Sequence, residues 1–250
     1  MARYSYRKTN YSSYVFVLLL GILIGLSLGI MQTAEPEVRT IVYTESSLKP
    51  FYSELSLVAV DQDGNGVMTP LIVEAKPGSG KVLVDIDKPL FWTDTQFSIQ
   101  TARYVAMNMT GIDLSNYDLM YSIKSNASVI GGPSAGAAIA IATIAALQNK
   151  TVNENVIITG TVESDGTIGE VGGILEKAKA AKDVGAEIFI VPFGQGEETY
   201  LKPNEKCTRR DGFIFCETTY DKVTVNIGKD VGIAVIEVRN VEEALKFFGL

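Results

Sequence analysis

The hydrophobic positions of this chain form one long uncharged run near its start and many short runs after it. The long run, Tyr14–Met31, has 18 residues and no charge. A helix that rises about 1.5 Å per residue nearly crosses a hydrocarbon layer of about 30 Å over such a length. The pattern therefore predicts a transmembrane anchor at residues 14–31, with a cytoplasmic tail at 1–13 and a tether at 32–50.

A secretory signal peptide is the alternative interpretation of this run. Its apolar core is usually about 7–15 residues long and ends at a small-x-small cleavage site. Here the core is longer, and Gln32 occupies the place of the small residue expected before Ala34. Because Arg3, Arg7 and Lys8 precede the run and acidic residues follow it, the positive-inside rule predicts a cytoplasmic N-terminus and an extracytoplasmic body at the cell membrane.

Residues 51–250 are predicted to form that body. Short strands come first, with the sequences ELSLVAV, VMTPLIVEA and KVLVDI, separated by the turns DQDGNG and KPGSG. A helix around QFSIQTARYVAMNM is expected to open with a capping box of Thr93 and Gln96. After the strand YDLMYSI, the run SAGAAIAIATIAALQ predicts a buried helix that starts at Ser134. The later elements are the strand NVIITGTV, the helix ILEKAKAAKDVG, the strands EIFIVPF and GIAVIEVR, and the helix VEEALKFFG. This order is typical of an α/β (α+β) fold.

The acidic net charge and two incomplete binding motifs exclude several kinds of partner. Beyond the first 13 residues the chain has 19 Lys and Arg against 29 Asp and Glu, and such an acidic surface repels nucleic acid. The stretch PGSGKV is not a P-loop, because Ala75 and Val82 replace its first glycine and its hydroxyl residue. The stretch DQDGNGVMTPLI is not a calcium loop, because Ile72 stands where a bidentate Glu is required. We therefore expect no nucleic-acid or nucleotide partner, no cofactor and no metal.

The two cysteines, Cys207 and Cys216, flank the sequence TRRDGFIF. Within it, Asp211-Gly212 is a strong signal for a hairpin turn, and strands folded back at that turn bring their ends within disulfide range. An oxidising compartment would let the bond persist. We predict a disulfide; two unrelated free thiols are the alternative.

The stretch IGGPSAGAAIA places Ser134 in a glycine-rich turn directly before a helix of small residues. A serine hydroxyl is a poor nucleophile until a base removes its proton. The chain has no histidine, so a Ser-His-Asp triad is excluded. A carboxylate with an ordinary pKa is a feeble base for a hydroxyl, whereas a lysine is a strong base once desolvation has lowered its pKa to about 7.

The helix ILEKAKAAKDVG contains a candidate lysine. Ile174, Lys177, Ala178 and Ala181 share one apolar stripe at helical spacing, whereas the other two lysines of the helix point away from it. Lys177 is therefore expected to face the interior, among side chains too small and apolar to neutralise it. The alternative is a snorkelling lysine whose amine reaches water.

Several of these sequences resemble the proteolytic domain of Lon proteases, which are peptidases with a Ser-Lys dyad. The similar stretches are GGPSAG, TGTV and GEVGGILEKAKAA, with PGSGKVLVDI and FSIQTARYVA upstream and IFIVPF downstream, and the resemblance covers most of residues 52–250. It implies a fold like domain 2 of ribosomal protein S5. It also implies that Ser134 is the nucleophile, Lys177 the base, and Thr159 the threonine beside the lysine amine.

The turn around the serine would also supply the oxyanion donors. We expect the backbone N–H groups from Gly132 to Ala135, aided by the N-terminus of the following helix, to stabilise the oxyanion. Pro133 would stiffen this turn.

Three features depart from the family. The chain has no Walker motif, so ATP-driven unfolding by an AAA+ ATPase is not expected from it. Gly131 stands where many relatives carry an acidic residue just before the serine turn. Residues 194–228, which include both cysteines, look like an insertion that could cap the cleft or contact a partner.

The sequence therefore predicts a membrane-anchored, ATP-independent serine endopeptidase that hydrolyses unfolded or extended polypeptides, with a homo-oligomer (ring or dimer) as a further expectation. A catalytically silent scaffold or peptide-binding module with the same fold is the alternative. A processing enzyme of the signal-peptidase type is less favoured, because its serine usually lies close behind the anchor.

Overall fold

The structure, a computed structural model, describes residues 11–32, 50–86, 90–125 and 129–250. The chain divides into two compact units, residues 1–47 and 48–250. The first unit contains the helix α1 (Tyr11–Gln32). The second unit contains all the candidate catalytic residues and both cysteines.

The helix α1 begins three residues before the predicted anchor at 14–31, and its large apolar side chains from Tyr14 to Leu26 are exposed. Among the described residues, however, no helix is both long and apolar enough to cross a membrane. The predicted transmembrane anchor is therefore not supported by the structure. Of the predicted tail and tether, residues 1–10 and 33–49 lie outside the described part of the chain.

Strands come first in the second unit, and strands and helices then alternate. The strands are β1 (Phe51–Val60), β2 (Gly66–Pro77), β3 (Val82–Val84), β4 (Leu90–Phe91), β5 (Tyr117–Ile123), β6 (Val129–Ile130), β7 (Val156–Ile158), β8 (Thr161–Val162), β9 (Ile168–Gly169), β10 (Ile188–Pro192), β11 (Glu197–Arg210), β12 (Phe213–Asn226) and β13 (Ala234–Val238). The helices are α2 (Thr93–Thr110), α3 (Gly136–Gln148), α4 (Ile174–Asp183), α5 (Ile227–Val231) and α6 (Val241–Phe248). Short 3-10 turns lie at Leu114–Asn116 and Pro133–Ala135.

Two sheets form the framework of this unit. The larger has the order β1-β2-β5-β3 and is antiparallel except for the pair β3–β5. Alternate residues of its strands are apolar and buried, among them Leu55, Leu57, Leu71 and Val73, so one face forms the core. The smaller sheet, β13-β10-β7, is parallel. The prediction of a mixed α/β fold is confirmed, whereas the likeness to ribosomal protein S5 stays a prediction.

The helix α3 is buried on every side over Gly136–Leu147 and packs against α2, β1 and β2. Its Ala and Ile side chains allow this, because they carry no polar atom that would need a partner in the core. At its first residue a Cβ on Gly136 would lie 2.9 Å from the backbone nitrogen of Val162, so the close approach requires glycine. The helix is thus a rigid support for the serine that precedes it.

Two sequence-based predictions about local structure are wrong. The capping box is absent, since Trp92 occupies the N-cap of α2 without a side-chain hydrogen bond and Gln96 Nε2 donates to the carbonyl of Phe91 at 2.9 Å. The predicted strand NVIITGTV is interrupted after Ile158, because Gly160 has a φ of 153° and turns the chain away from β7.

The cysteine hairpin is longer than its turn signal alone indicates. Strands β11 and β12 pair over their whole length, and Asp211 and Gly212 connect them with positive φ at both positions, as a tight two-residue hairpin requires. Cys207 and Cys216 lie opposite each other with a Cα–Cα distance of 4.0 Å and form the predicted disulfide. Nearly all side chains of this hairpin are exposed, so it extends from the body as an arm, residues 197–226.

Candidate active site

The serine turn is built by glycine, proline and the start of α3. Gly132 has a φ of 101°, a conformation that side chains other than glycine rarely adopt. Pro133 follows and begins the 3-10 turn Pro133–Ala135, which leads directly into α3. Ser134 is half-buried at this junction. The structure therefore gives the strand, glycine turn and helix that the sequence predicts around the candidate nucleophile.

An acidic residue from another element holds this turn. Asp94, in the first turn of α2, accepts a hydrogen bond from the N–H of Gly132 at 2.8 Å through its Oδ2 atom. Its other carboxylate oxygen, Oδ1, accepts the N–H of Thr95 at 2.7 Å. The sequence reasoning did not identify Asp94. Although Gly131 leaves the position before the turn without an acid, a carboxylate still contacts the turn backbone.

The short parallel pair β4–β6 brings these elements together. Phe91 pairs with Ile130, so the residues that follow them, Trp92 and Gly131, lie side by side. A Cβ on Gly131 would lie 3.2 Å from Cε3 of the Trp92 ring, which therefore rests against the glycine backbone. Trp92 as a whole is still 62% exposed.

The carbonyl group of Ser134 is bound on the opposite side by the bend between β7 and β8. It accepts the N–H of Gly160 at 2.9 Å and the hydroxyl of Thr159 at 3.3 Å. The N–H of Ala137 in turn donates to the carbonyl of Gly160 at 3.1 Å. The backbone of the candidate nucleophile Ser134 is thus held by elements that are distant in sequence.

Lys177 lies in α4 and is 4% exposed. Its Nζ atom donates to Thr159 Oγ1 at 3.4 Å. Burial lowers the pKa of this amine from 10.5 to about 8, and desolvation is the cause, without a contribution from a carboxylate. The neighbours on the predicted stripe, Ile174, Ala178 and Ala181, are buried as well. The side chain therefore does not snorkel to water.

Thr159 connects the two candidate catalytic residues. Its hydroxyl is 0% exposed, accepts from Lys177 Nζ and donates to the Ser134 carbonyl. Because the two bonds of 3.4 and 3.3 Å share one oxygen atom, the amine lies within about 7 Å of the Ser134 carbonyl oxygen. The structure thus brings Ser134, Thr159 and Lys177 together. Their catalytic roles remain predictions.

The predicted oxyanion donors are only partly free. Within the predicted range from Gly132 to Ala135, Pro133 has no N–H, and the N–H of Gly132 is bonded to Asp94. The first N–H groups of a helical segment have no acceptor within it. Ser134 and Ala135 therefore remain as the candidate donors to an oxyanion.

Comparisons with known proteins agree with this geometry. The sequence profile of the Lon protease (S16) C-terminal proteolytic domain matches residues 94–223, a segment that begins at Asp94 and includes Ser134, Thr159 and Lys177.

Three curated relatives illustrate the similarity. An archaeal Lon protease of Thermoplasma acidophilum is 29% identical over 161 residues, which are 60% of this chain and 23% of the relative. An archaeal Lon protease of Thermococcus kodakarensis is 26% identical over 202 residues, 77% of this chain and 30% of the relative. Lon protease 2 of Bacillus subtilis is 27% identical over 172 residues, 67% of this chain and 30% of the relative. The chain thus spans less than a third of the length of these relatives.

Proposed function

Because the chain belongs to the family of the Lon protease (S16) C-terminal proteolytic domain, we propose that it is a serine endopeptidase in which Lys177 activates Ser134. One observation carries this proposal: a buried lysine with a pKa of about 8 shares the hydroxyl of Thr159 with the backbone of the serine turn. A cation is costly in an apolar interior. Among the described residues no carboxylate offsets this cost for Lys177, so the site favours the neutral, basic form of the amine.

The proposed reaction proceeds through an acyl-enzyme. The neutral amine of Lys177 removes the proton of the Ser134 hydroxyl as Oγ attacks the peptide carbonyl, and the N–H groups of Ser134 and Ala135 stabilise the oxyanion. The lysine then gives the proton to the leaving amine as the C–N bond breaks. Water, deprotonated by the same lysine, hydrolyses the ester and restores the serine.

Thr159 sets the position of the base before substrate binds. Among the hydrogen bonds of the described residues, Nζ of Lys177 donates to Thr159 and not to the Ser134 hydroxyl. Catalytic hydrogen bonds are often long in a free enzyme and tighten in the substrate complex. Because Thr159 contacts the lysine amine and the Ser134 carbonyl, we propose that Lys177 Nζ reaches the Ser134 hydroxyl once substrate is bound.

The substrates we propose are unfolded or extended polypeptides, cleaved without nucleotide. Support comes from the sequence, which has no Walker motif within its 250 residues. The test is hydrolysis of an unfolded protein by the purified full chain, with and without ATP, beside the variants Ser134→Ala and Lys177→Ala. Lys179→Ala is the matched control, since this exposed lysine lies on the same helix.

Loss of cleavage in the Ser134 and Lys177 variants alone would establish the dyad, and cleavage retained by either would refute it. A fluorophosphonate probe addresses the silent-scaffold alternative, because a protein without an activated serine leaves Ser134 unlabelled. ATP-dependent cleavage would refute the claim of nucleotide independence only.

A cell-membrane location with the N-terminus in the cytoplasm is also a proposal. It rests on the uncharged run at residues 14–31, the preceding cations and the disulfide of the arm. Carbonate extraction of membranes and external protease treatment of intact cells test it. Release by carbonate would exclude an integral anchor, and a protected body would exclude the outward orientation.

Whether the protein forms a ring or dimer is tested by mass photometry.

A further inference from the structure

A glutamine side chain binds the backbone just before the helix that contains Lys177. Gln195 Oε1 accepts the N–H of Val171 at 3.0 Å, and Gln195 Nε2 donates to the carbonyl of the same residue at 2.8 Å. A primary amide offers an acceptor and a donor side by side, which matches the two polar groups of one backbone residue. Both groups of Val171 are therefore bound by a single side chain, from a residue 24 positions away in sequence.

The backbone that Gln195 binds belongs to the connection between β9 and α4, residues 170–173. Two of its residues, Gly172 and Gly173, are glycines, which allow a wide range of backbone conformations. The connection by itself therefore leaves the position at which α4 begins poorly determined. The N–H of Lys177 donates to the Gly173 carbonyl at 3.0 Å, so the lysine lies one helical turn after this connection. A shift of Val171 would thus be carried directly to Lys177.

Gln195 is itself held by the strand that positions Thr159. Its N–H donates to the carbonyl of Pro192, the last residue of β10, at 3.1 Å. Two residues earlier in the same strand, the carbonyl of Ile190 accepts the N–H of Thr159 at 3.0 Å. Strand β10 therefore positions both partners of the Lys177–Thr159 hydrogen bond: Thr159 directly, and Lys177 through Gln195.

We propose that Gln195 is a positioning residue of the peptidase, because its two hydrogen bonds to Val171 fix the start of α4 and so keep the Lys177 amine beside Thr159 and the serine turn. The inference rests on the proposed function, since it concerns the same base. The bond from Lys177 Nζ to Thr159 Oγ1 is already long at 3.4 Å, so a further displacement of about 0.5 Å would break it.

The first test measures hydrolysis of an extended peptide by the full chain and by Gln195→Met. Methionine is also unbranched and of similar length, but it has neither hydrogen-bonding group that Val171 uses. Misplacement of a catalytic group by about 1 Å can cost about a hundredfold. We therefore expect kcat to fall by about tenfold to a hundredfold, with KM within about twofold of the parent. Gln195→Glu keeps an acceptor for the Val171 N–H without a donor for its carbonyl, and its kcat should lie between the two.

Glu237→Ala is the matched control, because it removes a hydrogen bond to the next residue along the chain. Glu237 Oε1 accepts the N–H of Gly196 at 2.7 Å, whereas the bonds to Val171 come from Gln195. We expect kcat of Glu237→Ala to stay within about twofold of the parent. An equal loss of kcat in Gln195→Met and Glu237→Ala would overturn the inference, since it would assign the effect to the whole segment around Gly196.

Hydrogen exchange measured by mass spectrometry gives a second readout that needs no activity. In Gln195→Met we expect amide exchange in residues 170–178 to be at least about tenfold faster than in the parent, while α3 keeps its protection. Glu237→Ala should leave exchange in residues 170–178 unchanged. Faster exchange throughout the body would show that Gln195→Met is misfolded, and Gln195→Glu then decides the question by the same two readouts.

The outcomes separate this inference from the proposed function. If the parent cleaves no peptide, the peptidase is refuted, while faster exchange confined to residues 170–178 in Gln195→Met still supports the role of Gln195 in holding α4. If the parent cleaves and kcat of Gln195→Met stays within twofold of it, the inference is overturned and the peptidase stands. Unchanged exchange in residues 170–178 would overturn the inference as well.

Discussion

At the scale of single residues, Lys177 sets the pH dependence of the proposed reaction. Only its neutral form is a base, and with a pKa of about 8 roughly a tenth of the molecules carry that form at pH 7. We expect kcat/KM to rise about tenfold per pH unit below that pKa and to level off above it. A pH profile of peptide hydrolysis measures this. A midpoint near 10.5 would contradict a desolvated amine in the free enzyme.

Thr159 is expected to matter through its hydroxyl alone. Thr159→Val keeps the shape of the side chain but removes both the acceptor for Lys177 Nζ and the donor to the Ser134 carbonyl. Misplacement of a catalytic group by about 1 Å can cost about a hundredfold, so we expect kcat to fall by about tenfold to a hundredfold. Thr159→Ser restores the hydroxyl and should recover most of the activity. Equal kcat values for the two variants would show that the hydroxyl has no role in positioning.

The residues of the site differ in how far the sequence reveals them. Ser134 is visible because a glycine turn runs into an apolar helix, and Lys177 because it interrupts an apolar stripe. Thr159 is identified only through the family resemblance, since a threonine in a strand is ordinary. Asp94 is not identified, because acidic residues are common in the first turn of a helix and its partner Gly132 lies 38 residues away.

At the scale of elements, the N-terminus of α2 is expected to hold the serine turn in its active form. Asp94→Ala removes the acceptor of the Gly132 N–H, and a charge-assisted bond of this kind contributes about 1.5–3 kcal/mol. We expect a decrease in kcat of about tenfold or more, with a smaller change in KM. Asp94→Asn keeps a carbonyl oxygen at the same place and should retain more activity. Steady-state kinetics of both variants check this, and an unchanged kcat in Asp94→Ala would refute it.

Element boundaries show where sequence patterns reach their limit. The uninterrupted apolar run of α3 and the apolar stripe of α4 predict both helices within a few residues, because the burial of each helix matches its sequence pattern. The run NVIITGTV reads as one strand, but tertiary contacts at Gly160 end β7 and start β8 in another sheet. Similarly, Thr93 and Gln96 have capping-box spacing, yet the chain enters α2 from β4, which places Trp92 at the N-cap.

At the scale of the whole molecule, the buried lysine is expected to cost stability. Its pKa is lower in the folded protein than in the unfolded chain, so folding releases protons and is disfavoured most below pH 8, with the cost vanishing above about pH 10.5. Lys177→Met keeps a similar volume without the charge. We expect its Tm at pH 7 to exceed that of the parent by a few degrees, and the difference to shrink as the pH rises from about 8 toward 10.5.

Thermal melts test this, with Lys179→Met as the exposed control that should change little. A Tm difference independent of pH would point to packing instead.

The disulfide arm is expected to unfold independently of the body. Both of its faces are exposed, and the bond between Cys207 and Cys216 closes a loop with a sequence separation of 9 that lies wholly within the arm. For so short a loop the disulfide contributes about 2–3 kcal/mol to stability. Because few contacts join the arm to the core, this contribution raises the free energy of local unfolding of the hairpin. Replacing both cysteines by serine should therefore raise tryptic cleavage after Lys206 and Arg209 by roughly fiftyfold, measured by mass spectrometry of timed digests. The Tm of the body and the hydrolysis of short peptides should stay unchanged, because the core and the site around Ser134 lie outside the arm. A large fall in Tm would show instead that the arm folds as one unit with the catalytic body.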